Sequence, residues 1–326
     1  MAVDTQVATV RPPLAYRARG ILRGLQTGDE AAYLIVLTSA MAIIVLTGLL
    51  VLELFWNSSL TRHAFGWSFL WGRTWDPVFQ KFGALPFIYG TVVTSALALL
   101  LAVPIGLGSA LFLAELAPRR LSDALTFLVE LLAAVPSVIY GLLGVFVLVP
   151  FLEAWVVPAL KATLGFLPLF QGRFEGVSLF SAGVVLAIMI VPFIVSVSRG
   201  VLLAVPNDIR EGALALGATR WETTWRFVMP SARKGIFGSI FLALARALGE
   251  TMAVTMVIGN TPTISTSLLA PGYTIAAVIA NEFTEATSDF YIHALVELGL
   301  VLFGLTILIN GVARLLILTT SREAAR

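Results

Sequence analysis

The sequence contains no cysteine. Disulfides, thiol catalysis and cysteine-based metal sites are thereby excluded. Histidine is nearly absent as well: only His63 and His293 occur, and no His/Asp/Glu cluster has metal-ligand spacing. Charge is scarce, at 12% of residues against roughly 25% in an ordinary soluble domain. No stretch reads G-x-x-x-x-G-K-[ST], so the chain has no Walker A phosphate loop. No Ser/His/Asp, HExxH or paired-aspartate constellation appears either, so the chain is not read as an enzyme. The first 30 residues lack a signal-peptide pattern. A net charge of +2 does not call for a nucleic-acid partner.

What the chain has instead is apolar length. Hydrophobic residues make up 58% of it, and the mean hydropathy is +0.94. A helix needs about 20 apolar residues to cross the hydrocarbon core, and six stretches qualify: 31–52, 87–114, 124–149, 177–205, 235–259 and 291–318. Pro136 and Pro192 fall inside two of them and predict kinks. The expected fold is all-α, a polytopic membrane protein with six transmembrane helices. With the N-terminus placed in the cytoplasm, inside segments hold fifteen of the basic residues and outside loops hold five, namely Arg62, Arg73, Lys81, Lys161 and Arg173. The positive-inside rule therefore expects both termini to be cytoplasmic. The segments read as a cytoplasmic arm (1–30), a first span (31–56), an external loop (57–86), a core of five spans (87–318) and a cytoplasmic tail (319–326).

Two external loops invite a reading. Trp67, Trp71 and Trp75 are spaced by four, as in an amphipathic turn at the membrane interface, where tryptophan is favoured; a docking surface is the alternative. Segment 150–176 is rich in Phe, Leu and Pro and is expected to lie on the membrane.

The inside segment 207–230, NDIREGALALGATRWETTWRFVMP, is polar and lies between two apolar runs. Asn207 and Asp208 suit an N-cap. Gly217 suits a helix terminus, because glycine enters the left-handed conformation freely. Thr219 and Glu222 form a capping-box pattern, and Pro230 is expected to close a second helix. Leu214, Leu216, Trp221 and Trp225 supply apolar surface. An isolated hairpin this short would be marginal. It is read as docking into a groove on another protein, the alternative being an ordinary loop.

This segment resembles the EAA loop of the permeases of binding-protein-dependent ABC transporters: E-A-A, three residues, G, nine residues, I-x-L-P. Glu211 and Ala213 match, Gly212 replaces the first alanine, and Gly217 falls in place. Phe227, Met229 and Pro230 occupy the final positions. The resemblance implies that Glu211, Gly212, Ala213, Gly217 and Pro230 belong to a coupling helix that docks on a cytoplasmic ATPase. ATP and Mg would then be held by that partner and no cofactor by this chain.

In the fifth span, Gly235, Ser239, Ala243, Ala247, Thr251 and Thr255 lie four apart. Such a ladder of small residues lets membrane helices approach closely. Arg246 and Glu250 sit four apart on the adjacent face, and a central arginine costs about 2.5–3.5 kcal/mol on insertion scales. Arg246 is read as facing an anionic cargo, since its planar fork suits phosphate, with Glu250 positioning it. An intrahelical ion pair that neutralises both groups is the alternative. Glu130 in the third span and Glu297 in the sixth are read as structural partners, and His293 as interfacial.

The stretches 246–254 (RALGETMAV), 82–91 (FGALPFIYGT) and 134–141 (AVPSVIYG) are similar to the phosphate-importing branch of the family. That resemblance implies a second permease, two ATPase copies, an external phosphate-binding protein and a bacterial inner-membrane location. A permease for sulfate, molybdate or another oxyanion stays open, as does an ATP-independent secondary transporter.

Overall fold

The computed structural model describes residues 29–323. Of the arm expected over 1–30, only the last two residues are described, and they already belong to the first helix. The expected tail is helical up to Glu323, and residues 324–326 lie outside the described residues. The described residues form helices and irregular connections, with one isolated antiparallel bridge between Asp76 and Lys81. Six helices are long and apolar enough to cross a membrane: Ala32–Asn57, Leu85–Leu116, Ser137–Leu164, Leu179–Leu203, Arg220–Leu248 and Asp289–Leu315.

The chain divides into two units, Met1–Trp56 and Asn57–Arg326. The described part of the first is residues 29–56, all of them in α1 (Asp29–Asn57). Its hydroxyl side chains supply their own acceptors: Thr38 donates to Leu34 O, Ser39 to Ile35 O and Thr47 to Ile43 O, at 2.7–2.8 Å. A hydroxyl bonded back to its own helix leaves no unpaired donor for an apolar solvent to penalise.

The second unit contains α2 (Ser59–Phe65), α3 (Ser68–Trp71), α4 (Leu85–Leu116), α5 (Arg119–Ala133) and α6 (Ser137–Leu164). It continues with α7 (Leu179–Leu203), α8 (Asn207–Ala215), α9 (Arg220–Leu248), α10 (Met252–Ile258), α11 (Ile275–Glu282) and α12 (Asp289–Glu323). α7 is the central element and packs against both α4 and α9. Leu186, Ile190 and Ile194 on it are fully buried.

Small residues set how near these helices come. Ser198 on α7 and Ser239 on α9 share a buried 2.7 Å hydrogen bond. Ala243 and Ala247 join the buried cluster that α7 dominates. The small-residue ladder is thus used largely inside this chain, as far as Ala247. Thr251 and Thr255 leave it, because α9 ends at Leu248.

Four π turns occur among the described residues: Phe112–Leu116, Gly144–Leu148, Leu152–Val156 and Thr224–Val228. Each ends two residues before a proline, at Pro118, Pro150, Pro158 and Pro230. In each, the residue before the proline donates five residues back: Ala117 to Phe112 O, Val149 to Gly144 O, Val157 to Leu152 O and Met229 to Thr224 O. Proline lacks an N–H and its ring collides with the carbonyl four residues back. Widening the preceding turn relieves that collision and still uses the backbone donors.

Three expectations are corrected here. Pro230 does not close a helix, since the widened turn carries α9 through it. The third span is not 124–149: Pro136 separates α5 from α6, and the span-length helix is Ser137–Leu164. Much of segment 150–176 is therefore helix continuing that span rather than a loop on the membrane. α5 is a separate amphipathic helix, with Ser122 and Thr126 buried and Phe127, Leu128, Leu131 and Leu132 exposed.

Close approach makes a testable contrast. A Cβ on Gly90 in α4 would lie 2.1 Å from the Tyr273 carbonyl oxygen, whereas one on Gly108 would meet nothing within 4 Å. Gly90→Ala should destabilise the protein by about 1–3 kcal/mol through overpacking. Gly108→Ala should be neutral or stabilise by about 0.5–1 kcal/mol. Thermal unfolding of the two variants in detergent checks both.

Candidate functional site

The segment 207–230, which runs from the end of α7 into the start of α9, is a hairpin whose turn is built as its residues dictate. α8 ends in a Schellman motif: Gly217 has φ +86°, its N–H donates to Leu214 O, and the Ala218 N–H donates to Ala213 O. Only glycine takes that φ without steric cost. Thr219 and Glu222 then form a capping box: the Glu222 N–H donates to Thr219 Oγ1, and the Thr219 N–H donates to Glu222 Oε2. Asn207 does not serve as the N-cap that its type suggests. Pro206 takes the position before the helix, and Asn207 Oδ1 instead accepts from Arg210 Nη1.

Apolar surface is left uncovered on this hairpin. Leu216 is 86% exposed, Trp221 58% and Trp225 55%, and the two indoles stack with centroids 6.0 Å apart. Glu211 and Gly212 are exposed, while Ala213, next to the turn, is buried.

Arg210 anchors the hairpin, a role that sequence reading had missed. Its Nη2 lies 2.7 Å from Glu115 Oε1 at the end of α4, and its Nε donates to the same carboxylate. Nη2 also donates to Leu202 O at 2.8 Å and Nη1 to Val205 O at 2.6 Å, capping the carbonyl end of α7. The side chains are 18% and 8% exposed. Removing one partner of a buried pair typically costs about 3–5 kcal/mol. In the sequence, Glu115 directly follows the apolar run 87–114. The two residues are 95 positions apart, and no local pattern links them.

Arg246 and Glu250 are not on one continuous helix. α9 stops at Leu248, the chain breaks at Gly249 to Thr251, and α10 begins at Met252. Glu250 Oε1 accepts from the Ala253 N–H at 3.3 Å, so its carboxylate caps α10. No ion pair within 4.0 Å joins Arg246 to Glu250, so Arg246 is not neutralised by Glu250. The intrahelical ion pair, the alternative reading, is not formed. Arg246 is exposed, in the last turn of α9, near enough to Tyr140 of α6 to act on it electrostatically. Irregular backbone and an unpaired charge inside an apolar stretch are tolerated beside protein or a water-filled cavity, not beside lipid.

At the other end of α4 an aromatic cluster joins α2, α3, α4 and α12 through Phe65, Phe69, Phe87 and Tyr291. Trp75 is inserted there, its ring 4.9 Å from Phe87 and its Nε1 donating to Glu282 Oε2 at 2.8 Å. The Tyr291 hydroxyl donates to the same oxygen at 2.5 Å. The three tryptophans thus do not share one surface: Trp67 and Trp71 are exposed, and Trp75 is half-buried. Burial pushes the Tyr273 phenol up to about 12, so it stays neutral while accepting from Asn281 Nδ2.

Three remaining residues find their places. Glu130 is exposed on α5, not within a span. Glu297 is buried beside Thr61 and Arg62. His293 is half-buried, and its Nδ1 has no hydrogen-bond partner among the described residues.

The family described as "Binding-protein-dependent transport system inner membrane component" matches residues 102–320. The chain is 50% identical over 284 residues to the phosphate transport system permease protein PstC of Mesorhizobium japonicum, covering 86% of this chain and 87% of that protein. It is 47% identical over 311 residues to PstC of Xylella fastidiosa, covering 94% of this chain and 93% of that one. A solved bacterial ABC transporter involved in the import of the acidic polysaccharide alginate shares the fold. Its TM-score is 0.52 at 17% identity, covering 92% of this chain and 98% of that chain.

Glu282→Ala would strand two donors, Trp75 Nε1 and the Tyr291 hydroxyl. An unsatisfied buried polar group costs about 1–3 kcal/mol, and the variant should unfold at lower temperature by that order. Tryptophan fluorescence during thermal unfolding in detergent reads it.

Proposed function

The chain belongs to the family of binding-protein-dependent transport system inner membrane components, and on that premise we propose that it is the permease subunit of an ATP-driven importer of inorganic phosphate. It forms one half of the translocation pathway. The partners are a second permease (PstA), two copies of an ATPase (PstB) and an external phosphate-binding protein (PstS). ATP and Mg belong to the ATPase, because this chain has no Walker A loop. The chain lies in the bacterial inner membrane with both termini and the 207–230 hairpin in the cytoplasm, the side that carries fifteen of the basic residues.

The observation that carries the coupling half of this reading is the hairpin. It is short and capped at its turn, and it exposes Leu216, Trp221 and Trp225. Exposed aromatic surface on a preformed helical element suits a groove on a partner. Glu211, Gly212, Ala213, Gly217 and Pro230 supply its shape. The pathway half rests on Arg246, exposed and unpaired beside the break in the fifth span. Arg246 meets phosphate with its planar fork, and Glu250 positions the broken end. The phosphate assignment draws on the names of the relatives at 47–50% identity. Arg246 alone would also suit sulfate or molybdate; the relatives favour phosphate.

The mechanism is alternating access. The binding protein delivers phosphate, ATP closes the ATPase dimer, and the hairpin passes that motion to the spans. Direction follows from the cavity's differing affinity for phosphate in the two states. This chain makes and breaks no covalent bond.

Labelled-phosphate uptake tests the reading, in a host lacking its own high-affinity uptake and supplying the partner subunits. Uptake should require ATP and resist excess sulfate. Arg246→Gln at matched membrane levels should lower it at least about tenfold, the factor that 1.4 kcal/mol gives. Full activity in the variant would reduce Arg246 to a structural charge, and competition by sulfate would favour the other-oxyanion reading. Glu211→Ala and Gly217→Val should leave insertion intact but uncouple ATP hydrolysis from uptake; normal coupling in both would sink the docking role.

A further inference from the structure

Arg210 has a density of partners that ordinary loop anchoring does not require. One guanidinium holds the Glu115 carboxylate at the end of α4, the Leu202 and Val205 carbonyls at the end of α7, and the Asn207 side chain on α8. Three elements thus converge on one largely buried cation. α8 cannot tilt against α4 or α7 without stripping a buried carboxylate or uncapping a helix end. The contacts need a planar fork, since a lysine ammonium is a point charge on a flexible stem.

We propose that the Arg210–Glu115 pair is the rigid joint that delivers hairpin displacement to the second and fourth spans. Both residues are positioning residues: their polar groups are engaged within this chain, and they act through the hairpin. The inference rests on the coupling role proposed above and adds where the force enters the bundle. α7 is the most heavily buried of the six candidate spans and packs against α4 and α9. A push received at its end therefore moves the packed unit as one body, because close-packed cores transmit displacement.

The test uses the assembled transporter reconstituted with its partner subunits, comparing wild type with Arg210→Gln, Arg210→Lys and Glu115→Gln. Two quantities are measured: phosphate moved per ATP hydrolysed, and amide hydrogen exchange across residues 207–215. The joint predicts that Arg210→Gln and Glu115→Gln still assemble and hydrolyse ATP. Their transport per ATP should fall about tenfold, and the 207–215 amides should exchange about tenfold faster. Arg210→Lys should fall between them and wild type. A simple structural prop would lower yield and leave the ratio unchanged. An unchanged ratio in both neutral variants therefore overturns the proposal. Should Arg210→Gln fail to assemble, Glu115→Gln decides by the same criterion, because it leaves the arginine on its carbonyls. Failure of the importer reading looks different: wild type would move no phosphate with ATP. The exchange measurement then still decides the joint, and unaltered exchange in both variants overturns it.

Discussion

A backbone polar group that finds no partner in hydrocarbon costs several kcal/mol, and most of this architecture is a set of ways to avoid that cost. The prolines show it best. A proline removes a donor and pushes away a carbonyl, and at Pro150, Pro158 and Pro230 the helix continues because the turn before each has widened. The same constraint sends the hydroxyls of Thr38, Ser39 and Thr47 back onto their own helix. It also places the Arg210 fork over the carbonyl end of α7. Helix ends are where backbone groups run out of partners, and at the end of α7 a charged side chain does the capping.

Two arginines show how placement separates structure from function. Arg210 is surrounded by acceptors, with its charge matched by Glu115. Such an arrangement fixes geometry and leaves nothing for a ligand. Arg246 sits at the end of a broken helix, exposed, with Glu250 turned to cap the next helix. In the sequence, Arg210 lies in the polar segment between two apolar runs and Arg246 inside one of them. Their difference lies in the acceptors that folding brings to them.

The end of the bundle away from the hairpin is held in another way. There Glu282 joins Trp75 to Tyr291, and the aromatic rings of α2, α3, α4 and α12 pack around them. Edge-on ring contacts such as Trp75 with Phe87 add to simple burial. The bundle thus has a polar joint at one end and an aromatic clasp at the other, with tightly packed small residues of α7 and α9 between them.

The sequence alone determined the membrane class, the all-α fold, the number of spans and the capped turn of the hairpin. Each depends on contiguous residues: an apolar run long enough to cross, a glycine at a left-handed position, a threonine three residues before a glutamate. Tertiary structure decided the rest. It moved the third span to begin after Pro136 and gave the preceding apolar residues to a separate amphipathic helix. It broke the fifth span between Arg246 and Glu250, so a spacing of four no longer meant one face. It also paired Arg210 with Glu115 across 95 positions and Trp75 with Glu282 across 207. Those outcomes turn on which acceptor lies within hydrogen-bonding distance once the helices have packed. Periodicity along one segment carries no information about a partner that another segment supplies.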